Sequence, residues 1–280
     1  MKKLIYILSA LIITVTLVHF GLPKLLNSFG LHQHYDIPAY DLGGKRALII
    51  TTSQATLDDL TTGETGVATG VFGSEMTVPY YAFLDANMKV DIASIKGGKI
   101  PVEPKSMGWP IGTEADYRFK EDTIAMAKIN HSIAIENVDV DQYDVVFIAG
   151  GWGAAYDLST SDELANLVTK ANDNNAILGA VCHGLLGFVN AKNNHGENLI
   201  AGRKVTGVTD KQIKELDIEL TPFHPETELR KRGALFEANS AFKDFFASHV
   251  VVDGNLVTGQ NQNSGAETSH QILALLNKAK

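Results

Sequence analysis

Ala176-Ile177-Leu178-Gly179-Ala180-Val181-Cys182-His183-Gly184 holds the only cysteine of a 280-residue chain and sets a histidine directly after it. An apolar run of strand length ends at Cys182, and Gly184 opens an apolar helical pattern through Leu185, Leu186, Phe188 and Val189. The order is strand, sharp turn, helix. A side chain at the apex of such a turn projects above the sheet, while backbone N–H groups at the start of the helix stay free beside it. Those groups and the helix dipole predict a lowered thiol pKa and a place to hold an oxyanion. Ala180-x-Cys182-x-Gly184 matches the small-x-nucleophile-x-Gly elbow. The competing reading is a buried strand-end cysteine acting as a small hydrophobe.

Hydrophobic residues make up 45% of the chain and charged residues 20%, with 25 glycines. This is the profile of a globular α/β chain of one large domain or two small ones. A formal charge of −8 with no offsetting basic run argues against a nucleic-acid partner. A lone cysteine excludes an internal disulfide and a cysteine-based zinc site. Leu4 to Leu22 is an apolar span of 19 residues in which His19 is the only side chain that ionises near neutral pH, flanked by Lys2, Lys3 and Lys24. That length can cross a hydrocarbon core as a helix. Residues 1–24 therefore read as a membrane anchor or a signal segment. The uncleaved anchor is favoured, because the apolar part is long for a signal core and no Ala-x-Ala precedes the polar part of the chain. Lys2 and Lys3 predict a cytoplasmic N-terminus, hence a single-pass membrane protein with its domain on the extracytoplasmic side, although Lys24, Lys45 and Arg46 weigh on the other flank. Residues 25–44 read as a linker. His32-x-His34 within it lacks a third ligand and reads as solvated tether, so no metal is expected.

From residue 45 onward strands and helices alternate. Ala47 to Thr52 predicts a buried strand, and Thr61 to Gly73 a loop without phosphate-binding glycine spacing. Pro79 suits the first turn of a helix with Tyr80, Phe83 and Leu84 on its apolar face, and Val90 to Ala93 is the next strand, giving a right-handed parallel unit. Gly97 to Pro110 is an irregular excursion expected over the sheet edge, and Glu121 to Ile129 a short helix. Asp144 to Ala149 is a strand running into Gly150-Gly151-Trp152-Gly153, where glycines let backbone approach a ligand closely. Leu164 to Asn172 reads as a helix and Lys204 to Thr209 as a strand, followed by Asp210 capping a helix through Leu216. Val250 to Thr258 is a hairpin turning at Asp253-Gly254, and Gly265 to Lys278 closes the chain as a helix.

Several strings stand in one family's order: Gly73-Ser74-Glu75, Val90-Asp91-Ile92-Ala93-Ser94 with Lys96-Gly97-Gly98, and Pro101-Val102-Glu103-Pro104. They continue with Ala149-Gly150-Gly151-Trp152-Gly153, Ala180-Val181-Cys182-His183-Gly184, Val205-Thr206-Gly207-Val208-Thr209-Asp210 and Thr258-Gly259-Gln260-Asn261. In these the chain resembles the ThiJ/PfpI superfamily, which is class I glutamine amidotransferase-like, and within it the branch of glyoxalase III and the heat-shock chaperones. The resemblance implies a flavodoxin-like three-layer α/β sandwich with a mostly parallel central sheet over residues 45–280, preceded by the one transmembrane helix. By position it implies Cys182 as nucleophile, His183 as its partner, Glu75 as the carboxyl touching the nucleophile, and Gly151 and Trp152 in the oxyanion and substrate pocket. Two departures stand out. Trp152 replaces the usual histidine of Gly-Gly-His-Gly, making the pocket bulkier and more apolar, and Ile213 stands where several members carry glutamate. The third catalytic member is therefore open between Asp210 and Glu215, with Asp210 favoured. Phe223-His224-Pro225-Glu226 resembles the end of a glutaminase triad, but it comes too soon after Cys182, before the last hairpin and helix. The implied activity is conversion of reactive α-oxoaldehydes such as methylglyoxal to hydroxy acids, a stress-detoxifying lyase chemistry needing no cofactor. Alternatives are a cysteine peptidase or amidase of the same superfamily, or a stress chaperone or redox sensor without turnover. A homodimer is implied by resemblance alone.

Overall fold

Short β-branched and apolar runs form the strands of the computed structural model: β1 (Arg46–Thr51), β2 (Lys89–Ser94), β3 (Ile133–Ala134), β4 (Val145–Ile148), β5 (Ile177–Val181), β6 (Lys204–Val205), β7 (Leu235–Phe236), β8 (Val250–Asp253) and β9 (Leu256–Gly259). The helices are α1 (Lys2–Ser28), α2 (Gly73–Asp85), α3 (Glu114–Glu121), α4 (Thr123–Asn130), α5 (Ala154–Asp157), α6 (Asp162–Asp173), α7 (Asp210–Glu215), α8 (Pro225–Lys231) and α9 (Gly265–Lys278). The structure describes residues 2–278; Met1, Ala279 and Lys280, assigned above to the anchor and the domain's end, lie outside them.

The main sheet runs β3-β2-β1-β4-β5-β9-β8, parallel except for β8, which pairs antiparallel with β9. Its inner five strands have the doubly-wound order whose direction reverses between β1 and β4. Ligands of such sheets bind outside the strand carboxyl ends at that reversal. Alternate residues face opposite layers: Leu48, Ile50, Val146, Ile148, Leu178 and Ala180 enter one apolar core, Ala47, Ile49, Val145, Phe147 and Ile177 the other. The first core is closed by Leu164 and Val168 of α6, the second by Met76 and Phe83 of α2 with Ile272 and Leu273 of α9. Helices on both faces explain why the central strands read as unbroken apolar runs. The three-layer α/β expectation holds for the domain.

Local differences have local causes. α2 begins at Gly73, so Pro79 lies inside it rather than in its first turn; the Ser106 hydroxyl accepts from the Gly73 N–H at 2.9 Å, doing what an N-cap side chain would do. Residues 97–110 meet the sheet edge at Gly97, which packs on Ala134 of β3, and at Gly98, bridged to Ser132, and then cross to the start of α2. The helix expected over Glu121 to Ile129 is two helices, because Asp122 turns its carboxylate to the N–H groups of Ile124 and Ala125 and restarts the chain. Only Lys204–Val205 of the expected strand pairs, with β7 in a separate two-stranded sheet, and the next N–H, of Thr206, turns to the Thr258 hydroxyl at 3.0 Å. Thr209, not Asp210, caps α7, accepting from the Gln212 N–H. The hairpin forms as read, with Gly254 at φ +59° in its two-residue turn.

The stretch read as a tether is docked on the domain. Leu31 and Leu42 are buried, the His32 N–H donates to Asn263 Oδ1 at 2.9 Å, and the Tyr35 hydroxyl meets His270 Nδ1 at 2.7 Å. His32 is consequently not solvated; burial lowers its pKa, and its Nε2 is enclosed. His34 pairs with exposed Asp36 instead.

Candidate active site

Cys182 follows the last residue of β5 with φ +57°, the left-handed region that costs a side-chain-bearing residue of order 1 kcal/mol. Such strain persists only where the surroundings fix it. Here two glycines do so. A Cβ on Gly184 would lie 2.2 Å from the Ile148 carbonyl oxygen, and one on Gly150 would lie 2.6 Å from Glu75 Oε2 and 2.7 Å from the His183 nitrogen. Backbone from β4 is thereby pressed against the turn after β5, and the thiol is wedged between them.

The segment after the turn, Cys182–Phe188, is a 3-10 helix rather than the α-helix expected. Cys182 is 5% exposed, and its thiol pKa is raised well above the ordinary value, by burial first and by the Glu75 carboxyl second. Backbone N–H groups of His183 and Gly151 face the sulfur and pull the other way. The expected lowering of the thiol pKa is thus reversed. Desolvation penalises the thiolate more than a short helix end and a pair of N–H groups can favour it.

Glu75, in the first turn of α2, is fully buried. Its Oε2 accepts from the Gly150 N–H at 3.0 Å, and Oε1 has no hydrogen-bond partner among the described residues. Burial lifts its pKa to about 8, against the opposing pull of the thiol and the Gly150 N–H, so the carboxyl is mainly protonated at neutral pH. His183 Nδ1 lies 3.4 Å from the Cys182 sulfur. Burial, and next the nearby His224, lower the His183 pKa to about 3. Thiol, imidazole and carboxyl therefore rest uncharged in a dry site. That is the inexpensive state for three ionisable groups taken out of water.

The structure brings Cys182, His183, Glu75 and Gly151 together. It does not join Asp210 or Glu215 to His183 by a hydrogen bond. Asp210 Oδ2 accepts from the Thr227 hydroxyl at 2.7 Å, while its Oδ1 is buried without a partner among the described residues. Glu215 Oε2 accepts from the Asp244 N–H at 2.8 Å, and Oε1 faces Lys211 at 3.8 Å. His183 Nε2 is likewise buried and unpartnered.

His224 is the neighbour that sequence reasoning set aside as coming too early. It precedes α8, whose Glu226 accepts the Asp210 N–H at 3.0 Å and so ties α8 to the start of α7. That chain reversal returns residue 224 to the neighbourhood of residue 183; Pro225 at the first helical position was the one local sign of it. Trp152 is partly buried and packs on the same apolar cluster as Cys182. Gly151 has φ +100°, and a Cβ there would lie 2.4 Å from both the Gly70 oxygen and the Phe72 nitrogen, so only glycine fits.

The profile of the DJ-1/PfpI family matches residues 66–275. The chain belongs to the DJ-1/PfpI family. Among its DJ-1/PfpI relatives, a glyoxalase 3 of Candida albicans is 27% identical over 229 residues, covering 75% of this chain and 90% of that protein. A probable glutathione-independent glyoxalase of Saccharomyces cerevisiae is 30% identical over 225 residues, covering 75% and 91%. The solved structure of a rapid encystment protein from Francisella tularensis superposes with a TM-score of 0.75 at 30% identity, covering 83% of this chain and 99% of that one. α1 and the docked segment after it lie outside the DJ-1/PfpI match.

Proposed function

We propose that this DJ-1/PfpI protein is a glyoxalase III-type enzyme that converts α-oxoaldehydes such as methylglyoxal to 2-hydroxy acids without glutathione. The observation that carries the reading is the buried, uncharged set of Cys182, His183 and Glu75, in a chain whose relatives at 27% and 30% identity are named glyoxalases. In the first step the Cys182 sulfur bonds to the aldehyde carbon and the thiol proton passes to His183 Nδ1, leaving a hemithioacetal oxygen beside the N–H groups of Gly151 and His183. A proton then leaves the former aldehyde carbon, an enediol forms, and a proton is delivered to the neighbouring carbon, giving the hydroxyacyl thioester. Glu75, whose pKa lies near neutrality, is suited to carry that proton. Water hydrolyses the thioester and restores the thiol; the sum is aldehyde plus water to hydroxy acid, with no outside oxidant or reductant. Methylglyoxal loss matched by lactate formation, without glutathione, is the expected result. Peptide cleavage in the absence of aldehyde turnover would overturn it in favour of the hydrolase alternative.

Asp210 is our choice for the third member. Glu215 has both oxygens engaged, whereas Asp210 keeps one buried oxygen unpartnered, as His183 keeps Nε2. A carboxylate there would steady the imidazolium formed in the first step. Asp210→Asn is expected to lower kcat by about 10-fold or more, on the scale of a second partner to a catalytic histidine, while Glu215→Gln leaves it near wild type; the reverse ranking would move the role to Glu215.

We also propose that α1 anchors the protein in a membrane with the domain on the extracytoplasmic side. Ile5–Ser28 has mean hydropathy 2.2 and is not buried against the domain in its apolar window, and the charge placement of Lys2 and Lys3 supports the orientation.

A further inference from the structure

α1 is longer than a bilayer needs, and its exposure divides it in two. The described side chains up to Gly21 are exposed, whereas Leu22, Pro23 and Leu26 are partly covered on one face and Gly30 and Leu31 are buried. The helix therefore leaves open surroundings and meets the domain just past residue 21. At about 1.5 Å per residue its 27 residues span roughly 40 Å, against roughly 30 Å for a hydrocarbon core.

One residue of the domain reaches further down. Pro23 lies inside α1 and has no N–H, so the His19 carbonyl, four residues earlier, loses its helical donor. Trp109 Nε1 supplies the missing hydrogen bond, donating to the His19 oxygen at 3.0 Å, and its ring stacks on the His19 ring at 5.7 Å between centroids and 13° between planes. Even so Trp109 is 47% exposed. A second brace stands at the top of the helix, where Phe29 packs edge-on against Phe242 and Phe246. Gly30 is pressed there so closely that a Cβ would lie 2.3 Å from the Phe246 oxygen. A helix held at two points about 15 Å apart along its axis does not swivel freely against the domain.

We propose that the Trp109 loop is a membrane-seating surface whose partner is the headgroup layer of the bilayer that holds α1. The inference rests on the anchor reading. Tryptophan, with an apolar ring and one donor, concentrates at the membrane–water boundary. With that boundary at His19, the apolar stretch from Leu4 to Val18 lies below it, about 22 Å of helix against a core of roughly 30 Å, so the bilayer thins locally and Lys2 and Lys3 extend their stems to the far headgroups. The remaining turns stand above it beside the domain, and exposed Lys24 falls at headgroup height. The seat is joined to the site: Ser106, three residues before Trp109, accepts from the Gly73 N–H, and Met107 packs over Gly73 at the start of the helix that carries Glu75. The domain thus rides on the lipid in one pose, with the loop that packs on the first residue of α2 resting on the headgroups.

The chain has two tryptophans, so Trp152→Phe leaves Trp109 as the sole indole. The full chain is reconstituted in phosphatidylcholine vesicles whose acyl chains carry bromine near the headgroup end. Co-flotation with vesicles after an alkaline wash reads the anchor; quenching of Trp109 fluorescence reads the seat. We expect co-flotation, and quenching several-fold greater than that of Trp152 measured in Trp109→Phe. Should Trp152→Phe not fold, the difference between wild type and Trp109→Phe reports Trp109 instead. Co-flotation with Trp109 quenched no more than Trp152 overturns the seat and leaves the anchor standing, while failure to co-float overturns both.

Discussion

Cys182→Ser is expected to lower kcat/KM for methylglyoxal by at least about 10³-fold, the scale on which loss of a covalent nucleophile is felt. The fall should appear in kcat, because the bond from sulfur to aldehyde carbon is made only along the reaction path. Serine is close to cysteine in size and meets the same φ of +57°, so backbone strain is common to both proteins and cannot itself account for the loss. A serine hydroxyl holds its proton more tightly than a thiol and is the weaker nucleophile, so the His183 Nδ1 that stands 3.4 Å from the sulfur does less for it. Steady-state assays beside a thermal melt give the check: unreduced turnover in a folded Cys182→Ser protein would remove the thiol from the reaction.

Glu75→Gln is expected to lower kcat by about 10² to 10⁴-fold, the usual worth of a positioned acid–base group, and to change stability in the opposite sense at high pH. In the fold the carboxyl's pKa is raised from 4.5 to about 8. The folded state therefore binds more protons than the unfolded state between those values, and stability falls as pH rises from 4.5 through 8. Glutamine removes that slope while keeping an acceptor for the Gly150 N–H. His183 works the other way: with its pKa lowered from 6.5 to about 3, its contribution is present above 6.5 and is lost as pH falls toward 3. Melting temperatures from pH 4 to 9 should thus show the alkaline decline flattened in Glu75→Gln and the acid decline untouched. An unchanged alkaline limb would mean that Glu75 is ionised in the fold.

Much of this arrangement was legible in the chain because it depends on short-range patterns. The run into Cys182 fixed a strand and a turn, the glycines after Ile148 fixed a close backbone approach, and Asp253-Gly254 fixed the hairpin. Features set by distant contacts were not legible. Whether Thr206 to Thr209 continues a strand depends on an edge to pair with, and Thr206 finds the Thr258 hydroxyl instead. Residues 25–44 have the composition of a tether, yet Leu31 and Leu42 find covered sites on the domain. The thiol pKa was misread because a local helix end is visible in sequence, whereas the burial that outweighs it is a property of the whole molecule. The third carboxylate stays open for a similar reason: Asp210 and Glu215 sit five positions apart on one helix, and the Asp244 N–H that Glu215 accepts comes from a residue 29 positions on.

The position of β5 has a consequence for how the protein is made. It lies between β4 and β9, with Val181, the residue before the thiol, registered against Gly259. Strand β9 begins at Leu256, about 75 residues after β5 ends at Val181, so during synthesis the strand that leads into Cys182 lacks one of its two neighbours until that whole stretch has emerged. Closing such a late, long-range pairing is slow relative to forming local helices. The turn at Cys182 is therefore completed only after β9 has joined the sheet, and a nascent chain that stops short of β9 carries the cysteine without its folded surroundings.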